Sequence, residues 1–228
     1  GNKYKNKRSK LFKKYGHGYR YAESNGYKIV KTKADFLKLK PGDGKILTRF
    51  TNGALPAAID LTEKSKYPTL AQILSKAIEM LDGPEGFFIM AEGGRIDWAG
   101  HANDAATNIR ETLAFDEAVK VALDFQEKHP DETIVIVTGD HETGGMTMGV
   151  ANTGHAISLD RLTLQTMSAD EFSSEISKMF KKNNNLTFED IKPLASKAYG
   201  LKFEGDSRED PMVVTADDMK TLIKTFNK

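Results

Sequence analysis

One short segment of the sequence brings three side chains of metal-ligand type together within ten residues. Glu92, Asp97 and His101 lie in the run EGGRIDWAGH, which directly follows an apolar run at residues 86–91. The glycines of this run free the backbone to bend, so that carboxylates and an imidazole can converge on one cation. Because Asp97 and His101 are four residues apart, a single helical turn would put both on one face.

A second cluster follows another apolar run, at residues 133–138. Asp140 and His141 are adjacent in the run TGDHETGG, where the glycines relax strand geometry. Neighbouring residues on an ideal strand point to opposite faces, but at a relaxed strand end they can flank a common site. The second cluster therefore adds two candidate ligands to the three of the first.

Carboxylate and imidazole ligands without thiolate suit zinc, or zinc together with magnesium. Paired metals a few ångströms apart are a recurrent device for phosphoryl-group chemistry. The alternative for either cluster alone is a cap, a turn or a surface charge, which is the commoner role of such residues. Two clusters, each after an apolar run in one structural unit, favour a metal site over that alternative.

The elements that must position these clusters form a strand, helix, strand order. The runs GFFIMA at 86–91 and TIVIVT at 133–138 are continuous and apolar, which predicts strands covered on both faces. Residues 103–129 predict one long helix that ends before Pro130. Its predicted buried stripe consists of Ile109, Leu113, Val119, Ala122 and Phe125. This crossover implies a parallel sheet, with both clusters beyond the carboxyl ends of its strands.

Other segments extend this pattern. Residues 27–32 and 45–50 predict short strands, and residues 70–81 predict a helix. After residue 149 the sequence predicts polar helices, which begin near Ser168, Thr187 and Thr215. We therefore expect an α/β core over residues 1–149 and a helical insertion or elaboration over residues 150–228.

Composition limits the classes of partner. The 33 basic and 32 acidic residues nearly cancel, so the overall charge does not favour nucleic acid or an anionic membrane. Residues 1–20 are basic and could bind a polyanion, although a solvated amphipathic helix is the simpler interpretation. No apolar run approaches the length of a membrane span. The absence of cysteine excludes disulfides and thiolate ligands.

At the two clusters the sequence resembles the alkaline phosphatase family. GFFIMAEGGRIDWAGHAND resembles the family segment that supplies a magnesium carboxylate and two ligands of one zinc, and IVIVTGDHETGG resembles the segment that supplies two ligands of the second zinc. The resemblance extends over about residues 45–149. It implies an α/β fold of the alkaline phosphatase type, with a central, mainly parallel sheet, helices on both faces and a helical insertion near the C-terminus.

The resemblance also assigns roles to the candidate ligands. It implies that Glu92 binds magnesium, that Asp97 and His101 bind one zinc, and that Asp140 and His141 bind the other. The family reaction is hydrolysis of phosphate monoesters through a phosphoserine intermediate. The resemblance further implies a periplasmic or extracellular location, and it is compatible with a homodimer of the parent enzyme.

Several parts of the family pattern are missing from the sequence. No Asp-Ser-Ala nucleophile motif occurs, since Asp206-Ser207 is followed by Arg208, and no His-Thr-Gly motif follows His141. Trp98 stands where relatives often carry a phosphate-contacting Lys or His. We therefore expect a piece of an alkaline phosphatase that lacks the nucleophile and is inactive alone. A related metal-dependent phosphodiesterase or phosphomutase, or a non-catalytic structural domain, are the alternatives.

Overall fold

The structure is a computed structural model, which describes residues 13–14, 18–144 and 158–226. Contacts divide the chain into two compact units that interleave in sequence. The first holds the described residues up to Pro56 together with Leu61–Glu92 and Ala114–Val137, and the second holds Ala57–Asp60, Gly93–Leu113 and the described residues from Thr138 onward. The predicted boundary at residues 149–150 and most of the basic segment at residues 1–20 lie outside the described residues.

Helices are the main regular elements of the described chain, with two short strands near its start. In chain order the elements are α1 (Gly18–Ser24), β1 (Tyr27–Val30), α2 (Lys33–Leu37), β2 (Lys45–Thr48), a 3-10 turn (Ala58–Asp60), α3 (Leu70–Leu81), α4 (Gly94–His101), α5 (Ala105–Gln126), a second 3-10 helix (Leu159–Leu164), α6 (Ala169–Lys182), α7 (Phe188–Tyr199) and α8 (Ala216–Phe226).

The two strands form a parallel pair in the first unit. Tyr27 pairs with Lys45, and Val30 at the other end pairs with Thr48. Val30 is buried with Phe36 and Leu39, and this small core also contacts partly buried hydrophobic side chains of β2 and α3. The predicted strands at residues 27–32 and 45–50 are therefore confirmed, each shortened by two residues.

Helix α3 confirms the prediction for residues 70–81. Thr69 caps its N-terminus in a reciprocal capping box: the Thr69 side chain accepts from the Gln72 amide, and the Gln72 side chain accepts from the Thr69 amide. Such a cap satisfies two of the backbone donors that every helix start leaves open. The apolar face of α3 then packs on the core through Ile73 and Met80.

The helix starts predicted for the polar tail are also confirmed. Ser168 accepts from the Glu171 amide at the start of α6, Thr187 forms a capping box with Asp190 at the start of α7, and Thr215 accepts from the Asp218 amide at the start of α8. These contacts are local in sequence, which is why the residue types alone predict them.

The structure contradicts the prediction that GFFIMA and TIVIVT are buried strands. Neither segment forms a ladder among the described residues, and Phe88, Met90, Ile134 and Ile136 are 82–88% exposed. A strand needs partners for its backbone groups and cover for both faces. The apolar pattern indicates this need, but the described residues do not supply the partners.

Helix α5 confirms the predicted long helix but contradicts part of its predicted buried stripe. Leu113 is 52% exposed and Ile109 is 36% exposed, whereas Ala106, Thr107 and Ala118 are buried. The covered positions carry small side chains, which let neighbouring backbone approach closely. Periodicity identifies apolar positions on a helix, but it does not say which of them a neighbour covers.

No helix among the described residues is long and apolar enough to cross a membrane.

Candidate metal site

Helix α4 positions two of the predicted ligands. It begins just after Gly93, with Asp97 in its first turn and His101 in its last turn. This order suits the helix dipole, which favours an acidic group near the N-terminus and an imidazolium near the C-terminus. Nε2 of His101 lies 3.5 Å from Oδ1 of Asp97, so the prediction that one turn brings the two side chains to the same face is confirmed.

The second cluster meets α4 through the same carboxylate oxygen. Nε2 of His141 lies 3.9 Å from Oδ1 of Asp97 and 3.6 Å from Oδ2 of Asp140. The His141 amide also donates to Oδ1 of Asp140 at 3.0 Å. Asp97 thus lies near both imidazoles, although more than forty residues separate it from His141 in the sequence.

The imidazole of His141 is oriented by its own backbone neighbour. Its Nδ1 lies 3.2 Å from the carbonyl oxygen of Glu142. A carbonyl oxygen can only accept, so this contact is a hydrogen bond in the tautomer with hydrogen on Nδ1. That tautomer leaves the lone pair of Nε2 on the side of Asp97 and Asp140. Orientation of this kind is typical of metal-binding histidines.

Thr143 also belongs to the site, although its residue type does not predict a metal ligand. Its hydroxyl donates to Oδ1 of Asp97 at 2.6 Å and lies 3.4 Å from Nδ1 of His141. A hydroxyl two residues beyond a predicted histidine ligand is a weak signal in a sequence, because threonine is common in turns. Only the folded chain brings this hydroxyl to Asp97.

Hydrogen bonds of two side chains, Asn108 and Asp104, hold the backbone around α4. The side-chain amide of Asn108 donates to the carbonyl oxygen of Ile96 at 2.9 Å. Asp104, in the turn between α4 and α5, is buried and accepts four hydrogen bonds. Their donors are the Thr107 amide and hydroxyl, the Gln165 side chain and the Ala169 amide. The ligand helix is thus held against its own unit by neutral donors.

The five predicted ligands differ in placement. Asp97, His101, Asp140 and His141 belong to the second unit, whereas Glu92 lies in the first unit and is exposed. The side chain of Asp97 is 34% exposed, whereas those of His141, His101 and Asp140 are 57%, 71% and 87% exposed. The site in the second unit is therefore open to solvent.

The donor chemistry of this site fits a zinc ion, although the arrangement is not that of a closed metal centre. Carboxylate oxygen and imidazole nitrogen are suitable zinc ligands. In the described part of the chain, however, no three such side chains stand in the positions of a ready metal site. Asp97 and its two histidine neighbours share only the contacts at Oδ1 of Asp97. His155, which follows in the sequence, lies outside the described residues.

Two titratable groups of the second unit have raised pKa values, and α4 carries an ion pair with α6. Burial raises the pKa of the Glu111 carboxyl on α5, even though this group accepts a hydrogen bond from the Ala58 amide. Burial likewise raises the pKa of Tyr199, with the carboxylates of Asp104 and Asp60 adding to the effect. Arg95 on α4 forms an ion pair with Asp170 and lies over the ring of Trp98. Trp98 itself is 54% exposed.

Comparison with known proteins identifies the family. The family model described as alkaline phosphatase matches residues 6–210. Alkaline phosphatase 4 of Bacillus subtilis is 34% identical over 214 residues, which cover 89% of this chain and 42% of that protein. The repressible alkaline phosphatase of Saccharomyces cerevisiae is 40% identical over 137 residues, which cover 55% of this chain and 24% of that protein.

Solved structures show the same fold. The alkaline phosphatase of Thermus thermophilus matches with a TM-score of 0.67 and 25% identity, covering 82% of this chain and 38% of that one. The cold-active alkaline phosphatase of a psychrophilic Shewanella species matches with a TM-score of 0.66 and 24% identity, covering 91% of this chain and 49% of that one. The predicted α/β class of the alkaline phosphatase type is therefore confirmed.

The chain spans less than half the length of each of these relatives. The match to the family model nevertheless covers most of its residues. The chain belongs to the alkaline phosphatase family.

Proposed function

We propose that this chain carries metal-binding residues of a phosphomonoesterase. In this proposal Asp97 and His101 hold one zinc ion, Asp140 and His141 hold a second, and Glu92 holds magnesium. The observation that carries the proposal is the position of Asp97, whose Oδ1 lies within 4 Å of the Nε2 atoms of both His101 and His141. The family relation supports the same assignment.

The chain's own residues have defined tasks in this proposal. When bound, the metal ions would supply Lewis-acid activation of the phosphoryl group and of the attacking oxygen. Asp97 provides negative charge between the two imidazoles. The Glu142 carbonyl keeps the proton of His141 on Nδ1, so that Nε2 remains a ligand atom. Asn108 and Asp104 hold the backbone of α4 in place.

The substrate, a phosphate monoester, and the phosphoserine route are proposals for the whole protein. These 228 residues contain no Asp-Ser-Ala motif. We therefore expect the chain alone to release no phosphate from p-nitrophenyl phosphate above the buffer rate, even with zinc and magnesium added. Release that saturates with substrate, and that Asp97→Asn abolishes, would contradict this expectation.

A periplasmic or extracellular location and a homodimer of the parent enzyme belong to the same proposal. They rest on the family relation alone. Cell fractionation and analytical ultracentrifugation of the whole protein would test them.

Zinc titration of the purified chain tests the metal assignment. Calorimetry should show stoichiometric zinc binding by the wild type. Asp97→Asn should weaken it by more than the roughly 10- to 100-fold that loss of an outer-shell partner costs, because a ligand itself is lost. Asp116→Asn, at an exposed position of α5, is the matched control and should bind as the wild type does.

Two outcomes would contradict the assignment. Wild type without bound zinc after incubation with excess metal would favour the non-catalytic structural alternative. Equal affinity and an equal number of bound zinc ions in wild type and Asp97→Asn would place the bound zinc at other side chains.

A further inference from the structure

Thr143 links the two ligand clusters by a hydrogen bond. Its hydroxyl donates at 2.6 Å to Oδ1 of Asp97, the oxygen that also faces His101 and His141. Both residues lie in the second unit. The bond joins α4 to the segment after residue 138 across 46 sequence positions. It is therefore a tertiary contact at the centre of the candidate site.

A close backbone approach accompanies this bond. A Cβ atom added to Gly100 would lie only 2.8 Å from the Thr143 carbonyl oxygen and 3.3 Å from the Thr143 Cβ and Cγ2 atoms. The nearest of these atoms is backbone, so no side-chain rotation would relieve the clash. Gly144, with a φ of +80°, turns the chain directly after Thr143. Glycine at position 100 therefore allows Thr143 to sit against α4.

We infer that Thr143 is a positioning residue that holds Asp97 for metal binding, with Gly100 providing the space. This inference rests on the proposed function. An ionised carboxylate only accepts hydrogen bonds, so the hydroxyl must direct its single proton to Asp97. The bond restricts the side-chain torsions of a carboxylate that is only partly buried. Outer-shell partners of this kind commonly determine metal affinity.

The test compares two substitutions that differ in the hydroxyl. Thr143→Val keeps the shape and removes the donor, whereas Thr143→Ser keeps the donor. Zinc affinity, measured by competition with a chromophoric chelator, should fall about tenfold in Thr143→Val, the low end of the range for outer-shell partners because the site is open. Thr143→Ser should recover most of that loss. The absorption spectrum of bound cobalt(II), a probe of ligand geometry, should change in Thr143→Val and return in Thr143→Ser.

A separate substitution tests the close approach of the Thr143 backbone to Gly100. Gly100→Ala should weaken zinc binding although the hydroxyl of Thr143 is intact. Gly53→Ala is the matched control, because a Cβ at Gly53 meets nothing within 4 Å. Circular dichroism of each variant checks folding, and Thr143→Ala replaces Thr143→Val if the valine variant does not fold.

The outcomes separate this inference from the proposed function. Zinc binding by wild type and equally by Thr143→Val would overturn the role of Thr143 and leave the metal site standing. A loss in Thr143→Ser as large as that in Thr143→Val would also overturn it. A wild type that binds no zinc would overturn both the metal site and the role of Thr143.

Discussion

The first unit contains two pairs of extended segments, and among the described residues only one pair forms a hydrogen-bonded ladder. β1 and β2 carry lysines among their four residues each, yet they pair in parallel and bury Val30. The segments at residues 86–91 and 133–137 are far more apolar, yet they form no ladder among the described residues. Hydrophobicity thus indicates how strongly a segment needs cover, while pairing depends on whether a partner strand lies alongside.

The side chains of the unpaired segments are nevertheless unequally exposed to solvent. Exposure alternates along residues 133–136: Thr133 and Val135 are partly covered, whereas Ile134 and Ile136 are open to solvent. In the other segment the ring of Phe87 lies 5.5 Å from that of Phe125 on α5, while Phe88 is 88% exposed. Residues 87–90 and 133–136 therefore alternate between less and more exposed positions, as in a strand with one covered face, whereas Ala91 and Val137 at the segment ends are exposed.

The largest expected effect is a difference in unfolding free energy between a charge placed in β1 and a charge placed in an unpaired apolar segment. Val30→Asp puts a carboxylate at a site that is 3% exposed and packed among hydrophobic side chains. It should cost about 4 kcal/mol or more of unfolding free energy. Ile136→Asp, at a site that is 82% exposed, should change it by less than about 0.5 kcal/mol. Urea unfolding measures both, and equal losses would contradict the comparison.

Hydrogen exchange tests the backbone side of the same comparison. The Arg49 amide donates to the Val30 carbonyl beside the β1–β2 ladder, so amides of β1 and β2 should be protected. Amides of residues 134–137 should exchange about 100-fold faster, since fast exchange marks backbone without stable hydrogen bonds. Mass spectrometry of peptic peptides would resolve the two regions. Similar protection would mean that the apolar segments are paired in solution.

Buried side-chain acceptors should matter for stability as paired backbone does, and Asp104 is such an acceptor. Asp104→Ala removes a buried acceptor and leaves the donors of Thr107, Gln165 and Ala169 without it. It should cost about 2 kcal/mol, because unsatisfied buried donors carry a desolvation penalty. Asp116→Ala on the exposed part of α5 is the control. A loss no larger than in the control would show that water replaces the lost acceptor.

The smallest effect concerns pH. The pKa of Glu111 is raised by burial, so the folded state binds more protons than the unfolded state just above pH 4.5. The stability contribution of this group is therefore greatest at acid pH and falls as pH rises through the raised pKa. Glu111→Gln should remove this slope. The change in melting temperature between pH 4 and pH 7 should differ between wild type and Glu111→Gln by about 1 °C or less, because the carboxyl is only partly buried. A slope that persists in Glu111→Gln would assign it to other groups.

The sequence predicts local features well. Thr69 and Thr187 cap their helices because a hydroxyl and an acceptor three residues later can meet within one turn. Asp97 and His101 share a face because helix geometry alone places residues four apart side by side. Prediction fails at Leu113 and at Ile134, where burial depends on a neighbour that periodicity cannot identify.

Residue types and spacing were enough to predict α3, α5, the starts of α6, α7 and α8, and the two clusters of ligand-type residues that relate this chain to the alkaline phosphatases. These features depend mainly on interactions within a few residues of the chain. Tertiary structure alone decided which extended segments pair and that Thr143, close against Gly100, donates to Asp97. Such contacts join distant positions through shape and hydrogen-bond geometry, and only the folded chain brings those atoms together.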